Sequence, residues 1–270
     1  MAETPAVPFE PRRFRTSAEY YLRGRLPYPD ELIARVISVS GLTPGDTVLD
    51  LGCGPGLLAV NFAPHAREVI GLDPEPAMLE AAVAHARDEG VKVTFQLGSS
   101  YDLDKLTDTF QLVTMGRSFH WMDRPATLES LDRLVAPGGA VVLFKDTHPD
   151  LPQNEWWTHF RAVIDPYASR DPAHPRTGQS GPRIPHEAFL LESKFSRLER
   201  FSVIKRIETP VERLLDRALS MSTTSPERLG DEVETVLEKL RRVLSEDASD
   251  GIITEIVESE ALLAFREPER

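Results

Sequence analysis

The sequence predicts an α/β fold, a mostly parallel sheet covered by helices, on three observations. Short apolar runs ending in an acid, at Thr47 to Leu51 and again at Glu68 to Asp73, are separated by a stretch of helical periodicity. Neither run alternates cleanly, as suits strands buried on both faces. Between them the chain breaks into Gly52, Gly54 and Gly56, the pattern of a strand, a tight turn and a helix start.

In chain order, Met1 to Pro11 is Pro-rich and polar, and residues 1–15 are expected to be a disordered tail ahead of a single domain over 16–270. Thr16 to Ser40 reads as one or two helices interrupted at Pro27-Tyr28-Pro29. Asp30 is placed to cap the second, whose Leu32, Ile33, Val36, Ile37 and Val39 share one face. Val48, Leu49 and Leu51 carry the first strand, and the helix after the glycines points free N–H groups at the turn. Asp50, two residues before Gly52, would face a pyrophosphate badly but suits the ammonium of an amino-acid-like ligand.

The second strand ends at Asp73, about twenty residues after the first glycine, where a ribose-binding carboxylate belongs. Pro74 is well placed as a first helical residue, and Met78, Leu79, Ala82 and Val83 recur at helical spacing. Val91 to Leu97 reads as a third strand. Phe110 to Gly116 reads as a fourth, with Gly116 ending over the ligand site. Asp123 caps a helix with the stripe Leu128, Leu131, Leu134 and Val135, and Pro137-Gly138-Gly139 turns it into a fifth strand, Ala140 to Lys145.

From Thr147 to about Arg200 prolines accumulate and periodicity fades, apart from helical pieces at Gln153 to Ile164 and Pro185 to Ser193. Arg200 to Thr209 fits a late strand. Val211 to Met221 and Ser225 to Leu244 fit helices, the second with Ser225 as cap and Pro226 at its first position. Ile256 to Arg266 fits the last strand, beside the one before it.

Several of these features together resemble class I S-adenosylmethionine-dependent methyltransferases. They are the Gly-x-Gly-x-Gly turn, the acid at Asp73, the opening Tyr21 to Tyr28, the Leu-x-Pro-Gly-Gly-like turn, and His120-Trp121 after strand four. The His-Trp pair is similar to a branch, methyltransferase type 11, that includes trans-aconitate methyltransferase and the biotin-pathway carboxyl methyltransferase. The likeness is good over residues 20–146 and holds only in outline beyond.

It implies a Rossmann-like, seven-stranded, mostly parallel sheet with an antiparallel last strand. It also implies a cofactor half near residues 40–146, an insertion covering the acceptor over 147–200, and C-terminal strands and helices over 200–270. The implied cofactor is S-adenosyl-L-methionine. Asp73 would hold the ribose, Asp50 the amino end, and Gly52, Gly54 and Gly56 would allow close approach. Tyr21 or Arg25 would meet the methionine carboxylate. Met78 either packs near the adenine or fills the core. Among Ser99, Ser100, Tyr101 and Asp102, the residue that receives the adenine amino group stays open.

His120 would lie beside the transferable methyl, as a base for a hydroxyl acceptor, as a positioning group for a carboxylate, or merely stacked on Trp121. Trp121, Trp156 and Trp157 would wall the acceptor pocket, or Trp156 and Trp157 would instead anchor the insertion. The implied activity is methyl transfer to an oxygen of a small molecule. A catalytically silent cofactor-binding protein and a nicotinamide-dependent oxidoreductase are the alternatives, the latter disfavoured by the glycine spacing.

The formal charge of −12, with 31 Lys and Arg against 43 Asp and Glu, disfavours a nucleic-acid partner. No run approaches the roughly 20 apolar residues of a membrane span. Cys53 is the only cysteine, so no intrachain disulfide forms. A cytoplasmic monomer or homodimer without a metal centre is expected.

Overall fold

The computed structural model describes residues 14–168, 170 and 184–266. The expected tail falls almost wholly outside these residues. In chain order the elements are α1 (Ala18–Gly24), α2 (Asp30–Ser40), β1 (Thr47–Leu51), α3 (Leu57–Phe62), β2 (Glu68–Asp73), α4 (Pro76–Asp88) and β3 (Thr94–Leu97). There follow β4 (Phe110–Gly116), α5 (Arg124–Leu134), β5 (Val135–Thr147), α6 (Glu155–Ala168) and α7 (His186–Leu191). The chain continues through β6 (Arg197–Pro210), α8 (Val211–Leu219), α9 (Pro226–Leu229), α10 (Val233–Asp247) and β7 (Ile252–Phe265).

The seven strands form one sheet in the order β3-β2-β1-β4-β5-β7-β6. Strands β1 to β5 pair in parallel, and β7 inserts antiparallel to both β5 and β6. This is the Rossmann-like sheet with an antiparallel last strand. The chain leaves β1 toward β2 on one side and returns to β4 on the other, so a crevice opens at the carboxyl ends of β1 and β4.

Residue parity assigns the two faces, because successive side chains in a strand point to opposite sides. Leu49, Leu51, Val113, Met115, Val141 and Leu143 pack with Leu128, Leu131 and Leu134 of α5. Val48, Leu112, Val142 and Phe144 pack with Leu32, Ile33 and Val36 of α2 and with Leu58, Ala59 and Phe62 of α3. A third apolar cluster joins α6, α8 and α10.

Several local expectations need correction. Pro29, not Asp30, occupies the cap position of α2, and no side chain caps it. Helix α4 begins at Pro76 rather than Pro74, and the Glu75 carboxylate accepts from the Ala77 N–H at 3.4 Å. The helix expected from Ser225 to Leu244 divides at Gly230, whose φ of 53° with ψ of −126° is not helical. Ser225 does occupy the cap position ahead of Pro226, but its hydroxyl is buried without a hydrogen-bond partner among the described residues.

Candidate functional site

The crevice is built from four loop starts. After β1, Gly52 and Gly54 stand at φ of 69° and 53°, a region that only glycine enters without strain. A Cβ on Gly52 would come within 2.6 Å of the Ser118 Cβ, whereas on the Gly54 side there is open space. The loops after β1 and β4 therefore touch at Gly52, while the backbone at Gly54 is bare toward the cavity. The Ser118 hydroxyl donates to the Leu51 carbonyl at 2.8 Å and locks these two loops together.

At the end of β2, the Asp73 carboxylate accepts from the Gly54 N–H at 2.8 Å and from the Glu75 N–H at 2.9 Å. Burial pushes its carboxyl up to about 6. Next to it the Glu75 Oε2 is buried with no hydrogen-bond partner among the described residues. Met78 is buried yet borders the cavity, so packing in the core and facing a ligand are both true of it.

Ser99, Ser100 and Tyr101 also line the cavity. The Ser99 hydroxyl donates to Asp102 at 2.9 Å, while Lys105 and the Ser99 backbone hold the Asp102 carboxyl down to about 2. Asp102 borders a neighbouring surface groove rather than this cavity.

Of the residues singled out from the sequence, the structure brings together Tyr21, Gly52, Gly54, Asp73, Pro74, Met78, Ser99, Ser100, Tyr101, Gly116 and Trp121 around one cavity. It leaves out others. Gly56, at φ 81°, starts α3 and does not border the cavity. The Arg25 Nε donates to the Ser220 Oγ at 2.8 Å behind Tyr21.

Asp50 shares parity with Val48, so its side chain points to the α3 face, not into the crevice. Its two oxygens accept from the Ala59 N–H at 3.0 Å and the Thr114 hydroxyl at 2.9 Å. Thr114 is its registered neighbour on β4. The expected ammonium-holding acid is thus a buried staple between β1, β4 and α3.

His120 does not border the cavity. Its ring meets Trp121 at 4.8 Å and stacks on His186 of α7 at 6.4 Å. Trp156 and Trp157 also lie elsewhere. Trp156 is buried in the cluster of α6, α8 and α10, and Trp157 stacks on His148 at 4.2 Å and on Phe160 at 5.1 Å. They anchor the segment after β5. Sequence reasoning missed Phe14, Glu75, Arg117, Ser118 and Met122, which complete the cavity wall. The spacing Asp-Pro-Glu after β2 was a usable signal for Glu75; Arg117 had none.

Asp50 yields a test of its structural role. Burial lifts its carboxyl from an ordinary 3.8 to about 7, so in the window from about pH 4 to 7 the folded chain binds more protons than the unfolded chain. Stability contributed by this group is full at low pH and is lost as pH rises through the folded value, by on the order of 4 kcal/mol at most. Asp50→Asn still accepts from the Ala59 N–H and donates to Thr114. It is expected to raise the unfolding free energy at pH 8 by about 1–3 kcal/mol and to change it little at pH 4. Urea unfolding at both pH values checks this, and a loss of stability at pH 8 would contradict it.

A family model described as a methyltransferase domain matches residues 48–139. The matched segment is similar to such domains. It holds the glycine turn, Asp73, Glu75, Met78, Ser99 and Trp121, hence most of the cavity wall.

An uncharacterized methyltransferase of Bacillus subtilis, YcgJ, is 28% identical over 166 residues, 60% of this chain and 63% of that protein. An uncharacterized methyltransferase of Schizosaccharomyces pombe, C1B3.06c, is 36% identical over 106 residues, 36% of this chain and 38% of that protein. The chain thus matches less than two thirds of the length of these curated relatives.

Among solved structures, an S-adenosylmethionine-dependent methyltransferase from Thiobacillus denitrificans, in complex with S-adenosyl-L-homocysteine, superposes with a TM-score of 0.56. It has 18% identity and covers 96% of this chain and 99% of that one. The YcgJ crystal structure gives a TM-score of 0.53 at 21% identity, covering 88% of this chain and all of that one. At such identities the likeness shows the fold.

Proposed function

We propose that this protein transfers a methyl group from S-adenosylmethionine to an oxygen of a small-molecule acceptor, with residues 16–270 acting as one domain. The observation that carries the reading is the Asp73 carboxylate, set between the Gly54 N–H and the orphaned Glu75 Oε2 at the crevice of a methyltransferase-type sheet. When bound, S-adenosylmethionine supplies a methyl group already activated by its sulfonium.

The chain's own residues then have three tasks. Asp73 and Glu75 accept hydrogen bonds from the ribose hydroxyls, and the bare backbone at Gly54 allows the ligand to lie close. Met78 and Tyr101, with the hydroxyls of Ser99 and Ser100, flank the base. Tyr21, Trp121 and Met122 exclude water at the methyl-donating end. The amino end meets backbone around Gly52 and Gly116 in place of Asp50. The His120-Trp121 pair supports grouping the chain with the trans-aconitate methyltransferase-like branch.

His120 is not among the residues that wall this cavity, and we assign it no proton transfer. His120→Asn is therefore expected to lower kcat/KM by less than about tenfold, against the 10²–10⁴-fold typical of losing a general base. Steady-state kinetics across pH 6 to 9 check this, and a loss in that larger range would restore the base role.

The reading itself is tested by incubating the protein with methyl-labelled S-adenosylmethionine and a library of small hydroxyl and carboxylate compounds. Label transferred to an oxygen supports it. Label on nitrogen or carbon, or none on any compound, contradicts it.

A further inference from the structure

The sheet ends on β6, and the outer edge of that strand pairs with nothing among the described residues. β6 runs for 14 residues, and its register with β7 is unbroken from Arg197 against Phe265 to Pro210 against Ile252. Edge strands are kept from pairing with other chains by shortness, a bulge, a proline or charged side chains. β6 is long, has no bulge and carries proline only at its last position. Of these devices only charge remains, so the order of the charges decides which strand the edge excludes and which it admits.

That order is Arg197, Glu199, Arg200, Lys205, Arg206 and Glu208. A second copy meeting the same edge across a twofold axis sets one central residue opposite itself, and every other residue opposite the one equally far beyond the centre. Like charges placed directly opposite are destabilising. Centred on Arg200, Lys205 or Arg206, the pairing sets a cation against its own copy. Centred on Phe201 it sets Arg197 against Lys205, and on Val203 it sets Arg200 against Arg206. Between Arg200 and Arg206, only the centres Ser202 and Ile204 bring no like charges together.

The Ile204 centre pairs residues 198–210, against 197–207 for Ser202. It lays Phe201 opposite Ile207 and covers Ile204, which is 61% exposed, with its own copy. It also lays Arg200 opposite Glu208 twice, once on each side of the axis. Arg200 is held by Glu187 and by Glu260 at 3.2 Å, and Glu208 by Arg206 at 3.2 Å and the Thr254 hydroxyl at 3.1 Å. Both side chains are still about half exposed, so each can take a second partner.

We infer that two copies of this chain join through β6, antiparallel about Ile204, into one continuous sheet. The free N–H and C=O groups of the edge supply affinity, and the charge order supplies register. β6 lies three strands from β4, ~14 Å at the usual strand spacing, so the crevice is not part of the interface. The pairing holds independently of the methyl-transfer reading.

Sedimentation velocity from about 1 to 100 µM tests the association. The wild-type chain is expected to shift with concentration from one mass to twice that mass. Glu208→Arg faces Arg200 with a like charge on both sides of the axis and is expected to weaken the dimer about tenfold or more. Arg200→Glu/Glu208→Arg exchanges the two charges and is expected to regain wild-type association within about threefold. Thermal unfolding verifies that each variant folds.

Disulfide trapping reads the register separately. Ile204→Cys and Ser202→Cys are each oxidised with diamide, beside the wild-type chain, whose only cysteine, Cys53, is buried. Directly opposite residues have Cα atoms about 4.5–5.5 Å apart, within disulfide reach, whereas a displacement of four residues along the strand adds about 14 Å. Ile204→Cys is expected to cross-link and Ser202→Cys is not. A wild-type chain that stays monomeric throughout, a dimer indifferent to Glu208→Arg, or a folded exchange variant that stays dissociated overturns the inference. So does cross-linking through Ser202→Cys, or through neither variant.

Discussion

Arg217→Met is expected to destabilise the fold by about 3–5 kcal/mol, the cost of leaving a buried carboxylate without its partner. Glu255 on β7 is fully buried and accepts from Arg217 at 2.7 and 3.0 Å, from His148 at 2.8 Å and from the Thr209 hydroxyl. Burial pushes its carboxyl up, yet the bonds from His148 and Arg217 outweigh this and hold it down to about 2. Its contribution is therefore present above the ordinary carboxylate range near pH 4 and is lost as pH falls toward 2, opposite in sign to that of Asp50.

Arg217→Met/Glu255→Leu removes both charges and is expected to recover most of the loss, since apolar replacement of a buried ion pair is often neutral. Urea unfolding of the single and double variants measures this, and a single-variant cost below about 1 kcal/mol would show the pair to be solvated. The effect extends to the site. Arg217 Nε donates to the Gly24 carbonyl at 3.1 Å and Arg213 to the Arg25 carbonyl at 2.9 Å, fixing the helix that carries Tyr21. Weaker ligand binding is expected to accompany the loss of stability.

Asp73→Ala is expected to weaken S-adenosylhomocysteine binding by about 10- to 150-fold, or about 1.5–3 kcal/mol, the range for a hydrogen bond to a charged group. The variant also strips the Gly54 and Glu75 N–H groups of their acceptor, which loosens the loop that forms the cavity floor. Asp73→Asn retains one acceptor and should fall between the two. An affinity unchanged in Asp73→Ala would remove the ribose assignment.

The sequence exposed the sheet well, because parallel strands buried on both faces leave dense apolar runs and the glycine turn punctuates them. Ile256 to Arg266 was legible as a strand beside its predecessor, and the structure begins it at Ile252. What escaped depends on direction rather than identity. Asp50 stood at the right position in the chain, but parity turns it to α3, and only its register with Thr114 on β4 shows why.

Trp156 and Trp157 read equally as a pocket wall or as an anchor, because the resemblance implies that the long segment after the fifth strand covers the acceptor. The partners that bury Trp156 come from α8 and α10, up to about ninety residues away, a packing no local pattern predicts. Glu75 follows Asp73 so closely that it read as a helix lead-in. Arg117 sits in a backbone conformation its sequence neighbours do not announce.

Calorimetry of the wild-type chain decides whether the crevice beside β1 and β4 holds the nucleoside of S-adenosylmethionine through Asp73. S-adenosylhomocysteine and the nicotinamide dinucleotide are titrated side by side. One equivalent of S-adenosylhomocysteine is expected to bind, with no heat from the dinucleotide and with the weakened binding of Asp73→Ala described above. Equal or tighter binding of the dinucleotide, or no binding of S-adenosylhomocysteine, would contradict it.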